Sequence, residues 1–343
     1  MKRVLILCGG QSPEHPISIR SCKNILAEIN RDKYSISIIG INQGGVWRLI
    51  DESDLEETIT DEGDPVEIRP GLKDCFWSSG SSLGDFDVVF PILHGPNGED
   101  GTIQGLLSLL GLPFVGPGVL ASAVSMDKDI TKRLLKQEGI KVAEWLLLQV
   151  SSSNEDFNTV SAKLGTDLFV KPANMGSSVG VHHVTSEKEW DTALKDAFKY
   201  DTRVLVEKAI KGKELECAVL GNADIKVTGV GEVSASGFYS YTEKYDDTSE
   251  AQIMIPANID EQHIPLLKST AAAAYKALAC EGMSRVDMFL TEDGEVLVNE
   301  VNTIPGFTSI SMYPQLWQQE GLSYTALIDQ LLELAIERRN KSI

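Results

Sequence analysis

Residues 3–8, RVLILC, carry five consecutive apolar positions and run straight into Gly9-Gly10. A strand with one wet face alternates polar and apolar side chains. An unbroken apolar run of this length needs cover on both faces, which is the situation of a parallel strand inside an α/β layer. Residues 18–29 follow with apolar side chains at near-helical spacing (Ile19, Cys22, Ile25, Leu26, Ile29), and further strands are expected over 35–42 and 87–93. Strand, helix, strand is the order of a doubly wound α/β unit, whose ligands bind just beyond the carboxyl ends of the strands. The stretch 51–85 is acidic and punctuated by Gly and Pro, and it reads as surface connections with little chemistry.

A chain of 343 residues exceeds what one hydrophobic core usually holds, so two or three domains are expected. The Gly- and Pro-rich segment GLPFVGPG (111–118) marks a first boundary and Gly212 a second, giving domains 1–118, 119–211 and 212–343. Residues 119–139 read as helical, with strands over 146–150, 168–171 and 204–208 around a surface helix. Beyond Gly212 come hairpin-like strands, an Ala-rich helix over 265–280, strands over 285–290 and 295–301, and a closing helix over 323–339.

Charge and cysteine content remove several function classes. A net charge of −19 argues against nucleic acid, which calls for clustered Lys and Arg. It leaves room for a nucleotide, which a few lysines and backbone N–H groups can hold. The apolar run behind Met1-Lys2-Arg3 is too short for a signal peptide, and no segment approaches the roughly 20 apolar residues of a membrane span. The five cysteines (8, 22, 75, 217 and 280) are scattered, with no CxxC pair, as expected of reduced core thiols in a cytoplasmic protein.

Three constellations carry chemistry. In Lys171-Pro-Ala-Asn-Met-Gly-Ser-Ser-Val-Gly180 a lysine ends an apolar strand and a Gly/Ser/Asn loop follows. Such a loop either cradles phosphate oxygens with its N–H groups or is a plain strand–turn–strand connection. It is not a Walker A loop, and no GxGxxG follows the first strand. Next, Arg285-Val-Asp287 and Glu300-Val-Asn302 lie on consecutive strands joined by TEDGE. Side chains at i and i+2 share a face, so a hairpin converges the oxygens of Asp287, Glu300 and Asn302, a hard-donor set suited to Mg²⁺. The alternative is a solvated polar face, but the intervening Val286, Met288, Val298 and Val301 are apolar. Third, His94-Gly-Pro-Asn-Gly-Glu-Asp-Gly101 follows the strand VVFPIL, at the same sheet edge as Glu14. There an acid and an imidazole could hold a substrate ammonium group, or the histidine could be structural.

Taken together these pieces resemble the D-alanine–D-alanine ligase family of the ATP-grasp enzymes, over about Val4 to Pro314. HGPNGEDGTIQG (94–105) and NEVNTIPGFTSISMYP (299–314) resemble the two family signatures. MDK (126–128), KPANMGSSVG (171–180), VEKAIKGKE (206–214), FYSYTEKY (238–245) and SRVD (284–287) fall between them in the family's order. The resemblance implies an ATP-grasp fold: an N-terminal doubly wound α/β domain, a small central α+β domain and a C-terminal α+β domain. It implies joining of two D-alanine molecules through a D-alanyl phosphate, for peptidoglycan precursors, in the cytoplasm, by a homodimer with no nucleic-acid or membrane partner.

The same resemblance assigns roles. Lys128, Lys171 and Ser178 would contact ATP phosphates. Glu207, Lys208 and Ile210 would meet the adenine edge, and Glu214 the ribose. Asp287, Glu300 and Asn302 would hold two Mg²⁺ (or Mn²⁺) ions. Glu14, with His94 nearby, would take the ammonium of the first D-alanine, and Ser311 and Met312 the carboxylate of the second. Arg285 and the Gly306 N–H would stabilise the oxyanion. Ser177 and Tyr245 would form a charge-holding network with Glu14, and Lys244 would touch substrate from a lid over 236–247. Tyr245 resembles the dipeptide-forming members, whereas Phe accompanies D-lactate use. Pro13 and Pro16 around Glu14, and Ala209 in the adenine hinge, depart from the family pattern without removing a catalytic group. Rival readings are another ATP-grasp ligase, a catalytically silent ATP-binding protein, and a nicotinamide dehydrogenase, which the missing GxGxxG opposes.

Overall fold

The computed structural model of the chain describes residues 1–150, 155–234 and 252–341. In its first sheet, Lys2–Gly9 lies between Tyr34–Ile41 and Val88–Pro91, parallel to both, and Trp47–Ile50 adds an antiparallel edge. Both faces of the N-terminal strand are covered, as its apolar run requires. Val4, Ile6 and Cys8 share a core with Ile19, Cys22 and Ile25 of the helix His15–Glu28, while Leu5 and Leu7 pack with Phe76, Ile103 and Phe114. The first of these cores continues into Tyr313, Leu316, Leu327 and Leu331, so the C-terminal helices close over the N-terminal ones.

The stretch 51–85 is more than a surface connection. Val66–Ile68, Phe76–Ser78 and Ser81–Ser82 form a small antiparallel sheet, and Phe76 is fully buried. The Ile59 N–H also donates to His15 Nε2 at 3.1 Å, anchoring this stretch to the helix that starts after Glu14. Strands of two or three residues are too short to show alternation against an acidic background, so the sequence hides them.

The central sheet is antiparallel in the order His182–Val184, Leu168–Pro172, Arg203–Lys208, Trp145–Gln149. Leu168, Val170, Val204 and Val206 pack against the helices Phe157–Leu164 and Glu187–Ala197. By strand alternation, Phe169, Lys171, Leu205 and Glu207 share the other face. The helical stretch expected over 119–139 is two helices, Val119–Met126 and Lys128–Gln137. Asp127 separates them, its carboxylate accepting the N–H groups of Asp129 and Ile130 at 3.1 and 3.0 Å as an N-cap. These helices send Ala121 and Leu135 into the core beneath the third sheet.

That third sheet runs Gln252–Met254, Gly231–Ser234, Gly212–Gly221, Gly282–Thr291, Val296–Asn302, all antiparallel. Leu215, Cys217 and Val219, with Val286 and Val298, pack on the helix Ile264–Ala277. Ala218 and Leu220 face the opposite way, toward the helices Met312–Gln319 and Tyr324–Lys341. All five cysteines are buried free thiols. Among the described residues no helix is long and apolar enough to cross a membrane.

Candidate active site

A cleft of about 440 Å³ opens where the first sheet's carboxyl edge, the loop after Lys171 and the third sheet meet. It draws Glu14 and His94 from the first unit, Gly176 and Ser177 from the loop, and Glu214, Arg285, Asp287, Glu300 and Asn302 from the third sheet. Gly306, Ser311 and Met312 complete it from the segment leading into the helix Met312–Gln319. Positions some 300 residues apart in the chain thus face one volume.

Strand alternation alone would misplace the acidic wall. Val296 and Val298 point into the core under the Ile264–Ala277 helix, and even-numbered Glu300 and Asn302 would follow them there. Instead the register steps from Met288 opposite Val298 to Asp287 opposite Glu300, leaving Asn299 as an extra residue in a β-bulge. The bulge resets the alternation: Val301 takes the core side, and Glu300 and Asn302 turn to the cleft. Arg285 holds Asp287 bidentately, Nε and Nη2 donating at 2.7 Å each, and its Nε lies 2.9 Å from Glu216. Asn302 Nδ2 donates to Asp287 at 2.9 Å, which leaves the amide oxygen of Asn302 as an acceptor. Arg285 is largely buried, with 19% of its side chain exposed to the cleft. Burial disfavours its charge, yet Asp287, Glu216 and Glu300 raise its pKa well above normal.

The residues fit a divalent cation in donor type and in charge. Asp287 and Glu300 are cross-strand partners and Asn302 is a hard amide oxygen. Three carboxylates, Glu216, Asp287 and Glu300, face two cations, Arg285 and Lys128, the latter 3.8 Å from Glu300. Among the described residues no group of three or more His, Cys, Asp or Glu is arranged to hold a metal by itself. Two carboxylates and an amide, with waters and phosphates to finish the shell, is the pattern for Mg²⁺.

At the other end of the cleft Glu14 is 7% exposed and accepts a hydrogen bond from the Ser177 hydroxyl. Ser177 and Ser178 both have left-handed backbones (φ 49° and 59°), which turns the loop back toward Glu14. Two glycines permit the approach. A Cβ on Gly95 would sit 2.4 Å from Glu14 Oε2 and one on Gly176 3.3 Å from it. His94 is buried and commits both ring nitrogens: Nδ1–H to the Ile304 carbonyl at 3.1 Å, and Nε2 to the Ser21 hydroxyl at 3.2 Å. Desolvation, reinforced by Arg285, lowers its pKa to about 4, so the ring is neutral and serves as a strut. Glu99 accepts from the N–H groups of Gly95 at 2.7 Å and Ile304 at 3.3 Å. Burial, then the charge of Glu14, pushes its pKa up to about 8.

The phosphate and adenine candidates lie on the central sheet and beside it. Lys128 Nζ donates to the Met175 carbonyl at 2.6 Å, tying its helix to the loop. Lys171 and Glu207 lie diagonally across neighbouring strands and pair at 2.7 Å. Lys208 is exposed with its backbone N–H on the Glu144 carbonyl at 2.9 Å, and Ile210 sits in the connection just beyond. Ser311 caps its segment by accepting the Thr308 N–H at 2.9 Å, beside Gly306, where a Cβ would come within 2.8 Å of its Oγ. Tyr245, Lys244 and the expected lid lie outside the described residues.

Sequence reasoning missed Glu99, Glu216 and Lys132. Glu99 stood inside the quoted HGPNGED, and Glu216 shares a strand face with Glu214, so i+2 spacing would have found it. Lys132 is one helical turn beyond Lys128 and pairs with Glu207 at 3.3 Å.

A family model described as the D-ala D-ala ligase N-terminus matches residues 3–117, and one described as the C-terminus matches 134–333. The chain is 48% identical over 353 residues to a D-alanine–D-alanine ligase of Proteus mirabilis, covering 99% of this chain and 96% of the relative. To D-alanine–D-alanine ligase A of Escherichia coli K12 it is 46% identical, covering 98% and 96%. Among solved structures, the D-alanine–D-alanine ligase of Coxiella burnetii superposes with a TM-score of 0.87 at 40% identity, covering 100% of this chain and 97% of that one. The VanG D-Ala:D-Ser ligase of Enterococcus faecalis superposes with a TM-score of 0.88 at 38% identity, covering 97% and 99%.

Proposed function

The chain belongs to the D-alanine–D-alanine ligase family, and from that premise we propose how its cleft carries the family's reaction. It joins two D-alanine molecules into D-alanyl-D-alanine with ATP, supplying a precursor of peptidoglycan. The observation that carries the residue-level reading is the facing of two groups across one cleft: Glu14 with Ser177, and Arg285 with Asp287, Glu300 and Asn302. The rest is our proposal.

A carboxylate is a poor acyl donor, so the first D-alanine is activated as an acyl phosphate before an amine attacks it. Glu14, oriented by Ser177, takes the first ammonium, and the buried neutral His94 props the wall beside it. Lys128, Lys171 and the Ser177-Ser178 loop hold the phosphates, while Glu207, Lys208 and Ile210 meet adenine and Glu214 the ribose. Asp287, Glu300 and Asn302 would hold two Mg²⁺ or Mn²⁺ ions, whose charge would offset that developing in phosphoryl transfer. Ser311 and Met312 place the second carboxylate at a helix start, and Arg285 with the Gly306 N–H offsets the oxyanion of the second step. Tyr245 and Lys244 join from the segment outside the described residues. We further propose domains 1–118, 119–211 and 212–343, a cytoplasmic location and a homodimer, for which exposed Leu109, Val119 and Leu120 offer an apolar face.

The test is ATP-dependent phosphate release with Mg²⁺ and D-alanine, L-alanine, or D-alanine with D-serine or D-lactate, products identified by mass. Release with D-alanine alone, giving the dipeptide, is expected. A mixed product formed in preference to the dipeptide would move the second-substrate assignment to that partner. No turnover with D-alanine while ATP binds would sink the proposal.

A further inference from the structure

Lys132 is a cation sealed in the central part of the fold, with 1% of its side chain exposed. Its Nζ lies 3.3 Å from Glu207 Oε1, 3.5 Å from the Ala143 carbonyl and 5.8 Å from the centre of the Trp145 ring. Lys171 reaches the other oxygen, Glu207 Oε2, at 2.7 Å. One buried carboxylate therefore serves two ammonium groups. Lys171 keeps 11% of its side chain exposed and Lys128 12%, so these two have a way out toward phosphates. Lys132 has none. Glu207 Oε1 makes no hydrogen bond of good geometry among the described residues, so an acceptor remains open beside Lys132.

We propose that Lys132 is a positioning residue that keeps Glu207 ionised and aimed at the adenine amino group, freeing Lys171 to move to the phosphates. This rests on the nucleotide-binding reading above. A buried carboxylate left without any cation takes up a proton rather than stay charged. If Lys171 were its only partner, binding ATP would strip Glu207 of its counter-charge at the moment the purine arrives. Lys132 stays in place because its whole stem is packed. The balance is consistent with this. Burial pushes Glu207 up, but Lys132 and Lys171 outweigh it and hold the carboxyl below its ordinary range. Lys132 is lowered to about 8, chiefly by burial and partly by its lysine neighbours, with Glu207 opposing. An ionised Glu207 accepts from the 6-amino group of adenine and repels the 6-oxo group of inosine triphosphate. A protonated one can donate to that oxo group while still accepting from an amino group, so the preference for ATP shrinks.

The experiment compares initial rates with ATP and inosine triphosphate for the full-length enzyme and for Lys132→Met, Lys132→Arg, Glu207→Gln and Lys132→Met/Glu207→Gln. In Lys132→Met the ratio of kcat/KM for ATP to that for inosine triphosphate should fall by about tenfold or more, through KM, with kcat within about threefold. Lys132→Arg should keep the preference. The double variant should match Glu207→Gln, because Lys132 acts only through the Glu207 charge. Equal losses with both nucleotides, or effects that multiply in the double variant, would overturn the proposal and leave Lys132 a packing residue. Should Lys132→Met fail to fold, the double variant, which removes both buried charges, decides by the same comparison. A wild-type enzyme inactive with D-alanine would defeat the parent reading, and calorimetric titration of ATP and inosine triphosphate then reads the Lys132 effect directly.

Discussion

Lowering the pH should unfold this protein partly through one ring. His94 has a pKa of about 4 in the fold against an ordinary 6.5. Between those values the unfolded chain binds a proton that the folded chain refuses, so stability falls as the pH drops from 6.5 to 4 and is intact above 6.5. At 1.36 kcal/mol per pH unit the loss is about 3 kcal/mol, a large part of an ordinary folding free energy. Glu99 works in the opposite sense. Its pKa of about 8 in the fold, against 4.5 free, gives stability that is complete below 4.5 and lost as the pH rises through 8. That contribution is about 5 kcal/mol by the same conversion. From pH 4.5 to 6.5 the two slopes cancel, and each variant should unmask the other. The assay is urea unfolding of His94→Gln, Glu99→Gln and wild type, free of metal and nucleotide, in steps from pH 4 to 8.5. Glutamine retains a donor for Ile304 and an acceptor for Ser21. The wild type should therefore lose about 3 kcal/mol relative to His94→Gln as the pH falls from 6.5 to 4. A difference that stays constant across that range would refute the reasoning, because it would mean His94 titrates alike in both states.

Other consequences can be checked singly. Ser177→Ala removes the hydroxyl that orients Glu14 and should lower kcat by about 10- to 100-fold, the effect of losing a charge-assisted hydrogen bond, in steady-state assays at saturating ATP. Gly95→Ala combines a left-handed backbone (φ +74°) with a Cβ 2.4 Å from Glu14 Oε2, so it should raise the D-alanine KM by about tenfold and lower the Tm. Dialysis against a chelator should abolish turnover and Mg²⁺ should restore it, whereas Asp287→Asn should stay inactive at Mg²⁺ levels that saturate the wild type. Leu120→Glu places a charge on an exposed apolar side chain and should shift a homodimer toward monomer in light scattering, with the fold unchanged by circular dichroism.

How much of this was legible differs from one segment to the next. The unbroken apolar run at 4–8 demanded a strand buried on both faces, and the fold supplies it. Spacing in Arg285-Val-Asp287 and Glu300-Val-Asn302 put each pair on one face because that relation is local to a strand. Which face they share depended on a one-residue bulge that no alternation pattern announces. The two helices at 119–137 merged in the sequence because what sets Asp127 apart from a mid-helix aspartate is its extended backbone and the hydrogen bonds its carboxylate accepts, neither of which a sequence displays. His94 was singled out at the sheet edge and lines the cleft, but its partners, Ser21 and Ile304, lie 73 and 210 positions away. Glu99 and Lys132 escaped for the same reason. Their meaning comes from burial against distant groups, which a single sequence does not spell.

The extra residue at Asn299 has a genetic side. Replacing it exchanges one side chain that lines the cleft and leaves the strand count alone. Removing it would rotate Glu300 and Asn302 into the hydrocarbon interior and deliver Val301 to the cleft, three wrong faces from one lost codon. A library of substitutions would therefore score this position as an ordinary cleft residue. A library of deletions would find one of the least tolerant sites in the chain, because what selection guards there is a length.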